Sequence, residues 1–449
     1  MWDKLFERQL DSIVREGRLV VHMPDGRTLA FGDSAAEPVV IHVHDPALIR
    51  KLVLNAELHL GEGYMDEAFT IEGDDLHGLL TLALKNLQRI EDEGREMWHR
   101  RIVGGLRTAL RRFAQHNPVG RAQRNVAHHY DLSGELYRLF LDEDMQYSCA
   151  YFTRPDMTLE EAQAAKKHHI AKKLLIEPGH RVLDIGCGWG GMGLTLARDH
   201  GAEVVGVTLS SEQHQVANRR AVEAGLQDRV KFLLQDYRNV TDSFDRIVSV
   251  GMFEHVGAPH YREFFRHLRR MLKPDGVALL HTIGRVTPPG ATNPWITRYI
   301  FPGGYVPAMS EVMAAIEKEG LIVTDIEVLR LHYAETLRHW HDRFMANVDR
   351  VREIYDDRFC RMWRYYLVAS ELTFRHYGQV VFQFQIARKQ DAVPLTRDYL
   401  YREAAATPAE PAAGAEGGAR EGTRGGAKGR RKSPSKPRSR RRSRQPEQV

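Results

Sequence analysis

The sequence predicts an α/β protein in which a Rossmann-like domain follows a small α+β domain and precedes a basic tail. Three observations carry this. From Arg181 onward, short apolar runs alternate with helical patterns. A glycine-rich turn joins the first of these runs to the helix after it. After about Tyr401 the composition changes to Ala, Gly, Pro, Ser and Arg. Alternating strands and helices build a mostly parallel sheet with helices on both faces. The last segment has too little apolar surface to offset the entropy of ordering, so disorder is expected there.

Taken in order, residues 1–16 read as a short amphipathic helix. Two β-type stretches follow, Arg18–Met23 and Val39–Val43, the first ending in the turn Pro24-Asp25-Gly26-Arg27. Helical patterns over Asp45–Leu54 and Leu76–Asn86 complete an N-terminal domain assigned to residues 1–90. The Arg-rich stretch 91–124 reads as a helical linker. The large domain, 125–392, is expected to place strands at Arg181–Ile185, Glu203–Thr208, Val230–Leu234, Arg246–Val250 and Val277–Ile283. Helices at Met192–His200, Ser211–Ala224 and Tyr261–Leu272 separate them. The alternating run Val380–Ile386 reads as a last strand inserted antiparallel, and residues 403–449 form the tail.

Hydrophobic residues make up 43% of the 449 and charged residues 27%, which is enough for a sizeable core. The tail from Glu403 carries twelve Lys and Arg against five Glu, a net +7, so the preceding part is near −2 within a chain total of +5. The basic run Arg420–Arg444 lacks the interleaved aromatics of a nucleic-acid surface, and no nucleic-acid partner is expected. Cys149, Cys187 and Cys360 follow neither disulfide-framework nor metal spacing. Met1–Arg8 has no apolar run of the signal-peptide kind, and no stretch of some twenty apolar residues occurs. These features exclude a disulfide-stapled secreted scaffold and a helical membrane protein. They point to a cytoplasmic chain, at most peripheral to a membrane.

The strand Arg181–Ile185 runs into Gly186-Cys187-Gly188-Trp189-Gly190, a GxGxG turn before a helix. Glycines there let the backbone approach a ligand, and the helix start offers free N–H groups. The spacing departs from the dinucleotide fingerprint. With Asp184 at the strand end, it suits the methionine end of S-adenosylmethionine, whose ammonium a carboxylate can meet. Alone, such a turn could equally be a tight strand–helix connection. Where many proteins of this class have an acidic residue for the ribose, the second strand ends in Thr208-Leu209-Ser210, with Gln213 one helical turn on. Asp236, after Gln235, is placed either to accept from an adenine amino group or to cap a turn.

Several motifs give the chain its resemblance to a known family. They are His128-His129-Tyr130-Asp131-Leu132, the run Met145–Phe152, Asp184–Gly190, Gly206–Ser210, Gln235–Arg238, Met252–Gly257 and His281-Thr282-Ile283-Gly284. With them the sequence resembles the cyclopropane-fatty-acyl-phospholipid synthases and the related mycolic acid cyclopropane synthases. The string Leu60-Gly61-Glu62-Gly63-Tyr64-Met65-Asp66 is similar to the extra N-terminal, lipid-docking domain of the phospholipid-acting members. The resemblance implies a class I S-adenosylmethionine-dependent methyltransferase fold. It implies that a methylene group is added across the cis double bond of an unsaturated phospholipid chain at the inner face of the membrane. A homodimer is suggested as well. The cofactor residues carried over are Tyr147, Ser148, Gly186, Gly188, Trp189, Gly190, Thr208, Leu209, Gln213, Gln235 and Asp236. A bicarbonate ion is implied among Cys149, Glu254, His281, Ile283 and Tyr333.

That chemistry has clear requirements. A double bond is a weak nucleophile, and the cation it becomes must be kept dry, faced by π-systems and deprotonated by one modest base. Phe152, Phe253, Trp295, Tyr299, Phe301, Tyr305 and Phe344 are candidate pocket aromatics. Glu254 could alternatively cap a helix, and His281 could be a satisfied core histidine. One departure stands out. The family commonly has a cysteine three positions after Tyr-Tyr-Leu, and here Tyr365-Tyr366-Leu367 leads to Ser370, with Cys360 ten residues earlier. The rival outcomes are a methylene or methyl branch at the same double bond, or ordinary O- or N-methylation.

Overall fold

The computed structural model describes residues 1–93 and 133–401. The expected linker beyond residue 93, the His128–Leu132 motif and the tail from Glu403 lie outside the described residues.

Strands β1 (Arg18–His22), β2 (Thr28–Gly32), β3 (Pro38–Val43) and β4 (Phe69–Ile71) form a sheet in the order β2-β1-β3-β4. β1 pairs antiparallel with β2 and parallel with β3, and β4 runs antiparallel to β3. Helices α1 (Trp2–Ile13), α2 (Pro46–Met65) and α3 (Leu76–Asp92) share a core with this sheet, among them Phe6, Leu48 and Leu79 against Val21 and Val43. Asp45 starts α2 by accepting from the Ala47 N–H at 2.8 Å, with Pro46 preset for the first turn. The helix runs on to Met65, well past the expected Leu54. Asn55 leaves helical geometry at φ −156°, and this kink breaks the periodicity that marks the first half.

The second sheet contains β5 (Arg181–Ile185), β6 (Glu203–Thr208), β7 (Val230–Leu234), β8 (Phe244–Val250), β9 (Leu272–Arg285), β10 (Ile322–Leu329) and β11 (Gln379–Ala387). Its order is β10-β11-β9-β8-β5-β6-β7, and the five strands β5 to β9 are parallel. β11 inserts antiparallel between β9 and β10, as its alternation predicts. Val182 to Ile185 are all buried, because a central parallel strand is covered on both faces and so reads as a continuous apolar run. Helices α4 (Gly134–Phe140), α5 (Leu159–Lys173), α6 (Gly191–His200), α7 (Ser211–Glu223) and α8 (Tyr261–Met271) precede or connect these strands. The chain steps outward from β5 to β7 and returns to lay β8 beside β5. That reversal opens a crevice at the strands' carboxyl ends, where ligands of such sheets bind.

Strands β2, β4 and β10 are not anticipated by the sequence reading. β10 sits at the sheet edge and carries Asp325 and Glu327 within an apolar run, so neither a buried run nor clean alternation marks it.

Helices α9 (Pro294–Tyr299), α10 (Met309–Lys318), α11 (His332–Ala346), α12 (Val348–Ile354), α13 (Asp357–His376) and α14 (Asp398–Tyr401) complete the described chain. The Leu60–Asp66 motif faces α9 and α13. Asp66 pairs with Arg358 at 2.7 Å, Arg364 donates to the Tyr64 hydroxyl at 3.1 Å, and Tyr299 donates to Glu62 at 2.9 Å. The Trp295 indole N–H meets Met65 Sδ at 3.3 Å. Contacts of this kind gather Met1–Tyr401 into one unit. Among the described residues, no helix is long and apolar enough to cross a membrane.

Candidate active site

The crevice is a cleft at the carboxyl ends of the parallel strands, the usual ligand-binding place in such sheets. Segments following β5, β6, β7 and β8 build its walls, and Met145–Ser148 closes one side. Gly186, Gly188 and Gly190 all have positive φ, at 82°, 53° and 88°, a region that favours glycine. A Cβ at Gly186 would also come within 2.8 Å of Met252. The turn is tight for its own sake too, since the Gly186 and Cys187 N–H groups donate to the Val207 carbonyl.

Asp184 gives the cleft its chemical character. It is 2% exposed, and its Oδ2 has no hydrogen-bond partner among the described residues. Burial lifts its pKa from an ordinary 3.8 to about 7, against an opposing pull from Lys166. A buried carboxylate without a partner is costly, and a ligand ammonium entering here relieves it. The residues therefore fit the methionine end of S-adenosylmethionine.

Of the other expected cofactor residues, Tyr147, Ser148, Trp189, Thr208, Leu209, Gln213, Gln235 and Asp236 line the cleft, with Gly186 and Gly188. Gly190 and Ser210 do not, because they start helices. Gly190 is the N-cap of α6, and the Ser210 hydroxyl caps α7 by accepting from the Gln213 N–H at 3.3 Å. The Thr208 hydroxyl donates to Gln213 Oε1 at 3.0 Å, which presents the two as one polar unit. Asp236 is occupied rather than open: Arg238 donates to it from Nε at 2.9 Å, from Nη2 at 2.7 Å and from its backbone N–H at 2.9 Å. Any ligand amino group would use the remaining acceptor capacity of this capping carboxylate.

The second set lies directly behind the cleft wall. Glu254 sits in a short 3₁₀ turn after β8 and is buried. Its Oε1 accepts from the Ile283 N–H at 2.6 Å, and Oε2 has no partner among the described residues. Burial raises this carboxyl from 4.5 to about 7. His281 lies two residues earlier on β9 and is 2% exposed. Burial holds its pKa well below 6.5, so the ring is neutral. With Gln383 placed so that its amide N–H donates to Nδ1 at 3.1 Å, the ring proton sits on Nε2. Cys149 follows the cleft-lining Ser148. Its thiol donates to the Ala150 carbonyl at 3.3 Å, and burial pushes its pKa far up, so it stays a thiol. The Ala150 N–H in turn donates to Thr336 on α11, one turn from Tyr333. The structure thus links Glu254 to Ile283 directly and Cys149 to the Tyr333 helix through Ala150. His281 bonds instead to Gln383.

The candidate aromatics are mostly committed elsewhere. Phe253 stacks on Tyr261 at 4.2 Å within the α8 core, Trp295 and Tyr299 meet the N-terminal motif, and the Tyr305 hydroxyl donates to Glu311. Phe344 is core, Phe152 stacks on His339, Phe301 meets Tyr366 edge-on, and the Tyr305 N–H donates to the Glu254 carbonyl at 2.9 Å. The π-rich wall centres on Tyr147, expected as a cofactor residue, and adds Tyr137, Trp340 and Tyr366, which were not among the expected pocket aromatics. Tyr147 stacks on Trp340 at 5.1 Å, meets Tyr137 edge-on at 5.3 Å and shares a hydrogen bond with the Tyr366 hydroxyl at 2.9 Å. Ser370 lies on α13 in partial burial, while the buried Cys360 thiol faces the Val348 carbonyl on α12.

Two further side chains were missed. Lys166 and Gln163 of α5 are fully buried and hydrogen-bond the Met145–Ser148 wall. A signal for them exists: Leu159, Gln163, Lys166, Ile170 and Lys173 lie on one stripe at helical spacing, so the lysines fall where the apolar pattern demands burial.

Residues 118–384 match the family model described as mycolic acid cyclopropane synthetase, and residues 1–92 match a model of a domain of unknown function. The chain is 40% identical over 349 residues to the cyclopropane-fatty-acyl-phospholipid synthase of Escherichia coli K12, covering 77% of this chain and 87% of that protein. It is 34% identical to the tuberculostearic acid methyltransferase UfaA1 of Mycobacterium tuberculosis, covering 83% and 90%. The crystal structure of the mycolic acid cyclopropane synthase CmaA1 with S-adenosylhomocysteine and CTAB aligns with a TM-score of 0.56 at 36% identity, covering 59% of this chain and 97% of that one.

Proposed function

The chain belongs to the mycolic acid cyclopropane synthetase family of S-adenosylmethionine-dependent methyltransferases, and from that membership we propose that it forms cyclopropane rings on the unsaturated acyl chains of phospholipids. The observation carrying this reading is a pair of buried carboxylates, Asp184 in the cleft wall and Glu254 behind it, each with one oxygen unpartnered among the described residues.

S-adenosylmethionine supplies a methyl carbon made electrophilic by its sulfonium. Asp184 receives the methionine ammonium, the Thr208–Gln213 pair faces the ribose, and Gln235 with Asp236 faces the adenine. The Tyr147 ring, which lines the cleft and is backed by Trp340, offers a π-system to the positive charge that develops on the acyl chain. Cys149, Glu254, His281, Ile283 and Tyr333 are the set that would hold a bicarbonate ion, a small weak base. Glu254 would accept a hydrogen bond from that ion's hydroxyl and neutral His281 would donate one to it, so the ion would supply the weak base for the proton that the new methyl must lose when its C–H electron pair closes the ring.

On this reading the partners are unsaturated phospholipids at the cytoplasmic face of the membrane and a second copy of the chain. The N-terminal domain docks the lipid. The tail adds attraction to anionic headgroups, at about 1 kcal/mol per basic residue near the surface. Deleting residues 403–449 should weaken vesicle binding at low salt, and unchanged binding removes the tail from the account.

The test is to incubate the purified chain with S-adenosylmethionine and vesicles of a cis-monounsaturated phospholipid, then analyse the released acyl chains by mass spectrometry and proton NMR. A gain of one CH2 with high-field ring protons supports the synthase. The same gain with olefinic or branched-methyl signals means a methylene or methyl branch, an outcome the likeness to a tuberculostearic acid methyltransferase keeps in view. No lipid product overturns the proposal.

A further inference from the structure

Lys166 is 0% exposed, and its ammonium donates to Gln146 Oε1 at 2.7 Å and Ser148 Oγ at 2.8 Å. Gln163, also 0% exposed and one turn earlier on α5, donates to the main-chain carbonyls of the same two residues, at 3.2 Å for Gln146 and 2.9 Å for Ser148. The residue between them is Tyr147, and the one after is Cys149. Two neighbouring side chains of one helix thus grip both flanks of Tyr147, by side chain and by main chain.

The grip acts on a segment that needs one. Met145 has φ +59°, a left-handed conformation that costs a non-glycine residue free energy and persists only where the surroundings impose it. Asp142 starts the turn by accepting from the Gln146 N–H at 2.8 Å, and α5 finishes it. Burying an ammonium costs several kcal/mol, and here both bonded acceptors are neutral, with the Asp142 and Asp144 carboxylates as counter-charges nearby. A methionine would fill the same space without that cost, so simple packing does not account for a lysine. The charge also reaches past its two bonds. Asp184 on the cofactor side and Cys149 and His281 on the other are all biased by it, and burial brings Lys166 itself down to about 8.

We propose that Lys166, together with Gln163, is a positioning residue for methyl transfer. The pair fixes the 146–148 segment so that Tyr147 and Ser148 face the cofactor cleft while the following Cys149 and Ala150 are carried onto the α11 helix. This rests on the methyltransferase reading above, and its test includes a binding measurement independent of any lipid product.

The variants are Lys166→Met, which keeps the volume and removes the charge, and Gln163→Leu, which removes the carbonyl grip alone. S-adenosylhomocysteine affinity is measured by calorimetry, and kcat and vesicle KM by steady-state turnover. Both variants are expected to weaken S-adenosylhomocysteine at least fivefold and lower kcat at least tenfold, with vesicle KM within twofold of wild type. Ser148→Ala added to Lys166→Met should cost less than the two single effects combined, since both act through one bond. Either folded variant with affinity and kcat within twofold of wild type overturns the proposal, as does a loss confined to vesicle KM. If Lys166→Met does not fold, Gln163→Leu decides. If wild type makes no lipid product yet binds S-adenosylhomocysteine, the lipid reading fails and the affinities alone decide this proposal.

Discussion

Replacing Asp184 with asparagine keeps the shape of the cofactor cleft and removes its buried charge. Two measurable quantities should then move in opposite directions. In the empty protein, burial raises the Asp184 carboxyl from 3.8 to about 7. A shift of roughly three units at about 1.36 kcal/mol each makes the ionised form cost about 4 kcal/mol above pH 7. The folded state binds the proton more tightly than the unfolded chain does. Wild-type stability therefore falls as pH rises from near 3.8 to near 7, then levels off. Asp184→Asn lacks this penalty. It should be more stable than wild type at pH 8 by up to about 4 kcal/mol, and at pH 5 the gain should shrink to less than half of that. Cofactor affinity goes the other way. A hydrogen bond to a charged group contributes about 1.5–3 kcal/mol, so the variant should bind S-adenosylhomocysteine roughly 10- to 150-fold more weakly. Wild-type affinity should also tighten as pH rises through about 7, whereas that of the variant should stay flat. Urea unfolding at pH 5 and pH 8, with calorimetric titration across the same range, measures both. A variant no more stable than wild type at pH 8, binding S-adenosylhomocysteine within threefold of it, refutes the assignment of Asp184 as the ammonium site.

Three further outcomes follow from the same geometry. Glu254→Gln should lower kcat by about 10²- to 10⁴-fold, the range lost when a general base is no longer held in place, while cofactor affinity stays within threefold. The rise of wild-type kcat with pH through about 7 should vanish with it, because that carboxyl titrates there; a variant with an intact pH profile argues against the role. Cys149→Ser should keep kcat within about tenfold, since the buried thiol is not ionised and cannot serve as a nucleophile; a loss beyond a thousandfold would contradict this. Gly61→Ala would bring a Cβ to 2.5 Å from the Trp295 indole nitrogen. Overpacking of that kind costs about 1–3 kcal/mol, which a thermal melt should register as a lower midpoint, and an unchanged midpoint would mean that Trp295 yields freely.

By itself the sequence determined the elements whose signal is local. The run Arg181–Ile185, the glycines after it and the alternation of Val380–Ile386 each reflect burial of one backbone segment. The structure places β5, its turn and the antiparallel β11 accordingly. Asp184 and Glu254 were legible because each sits beside a turn that its neighbours announce. Only the tertiary structure decided the rest. The edge strand β10 escapes notice because half of its environment is solvent. The aromatic wall brings Tyr137 and Tyr147 from one part of the chain against Trp340 and Tyr366 from another, 219 residues separating Tyr147 from Tyr366, and no periodicity within one segment encodes such a meeting. Lys166 reads as a solvated charge until Gln146 and Ser148 arrive over it. Periodicity records which face of an element is buried, whereas the partner on that face is chosen by packing between distant elements.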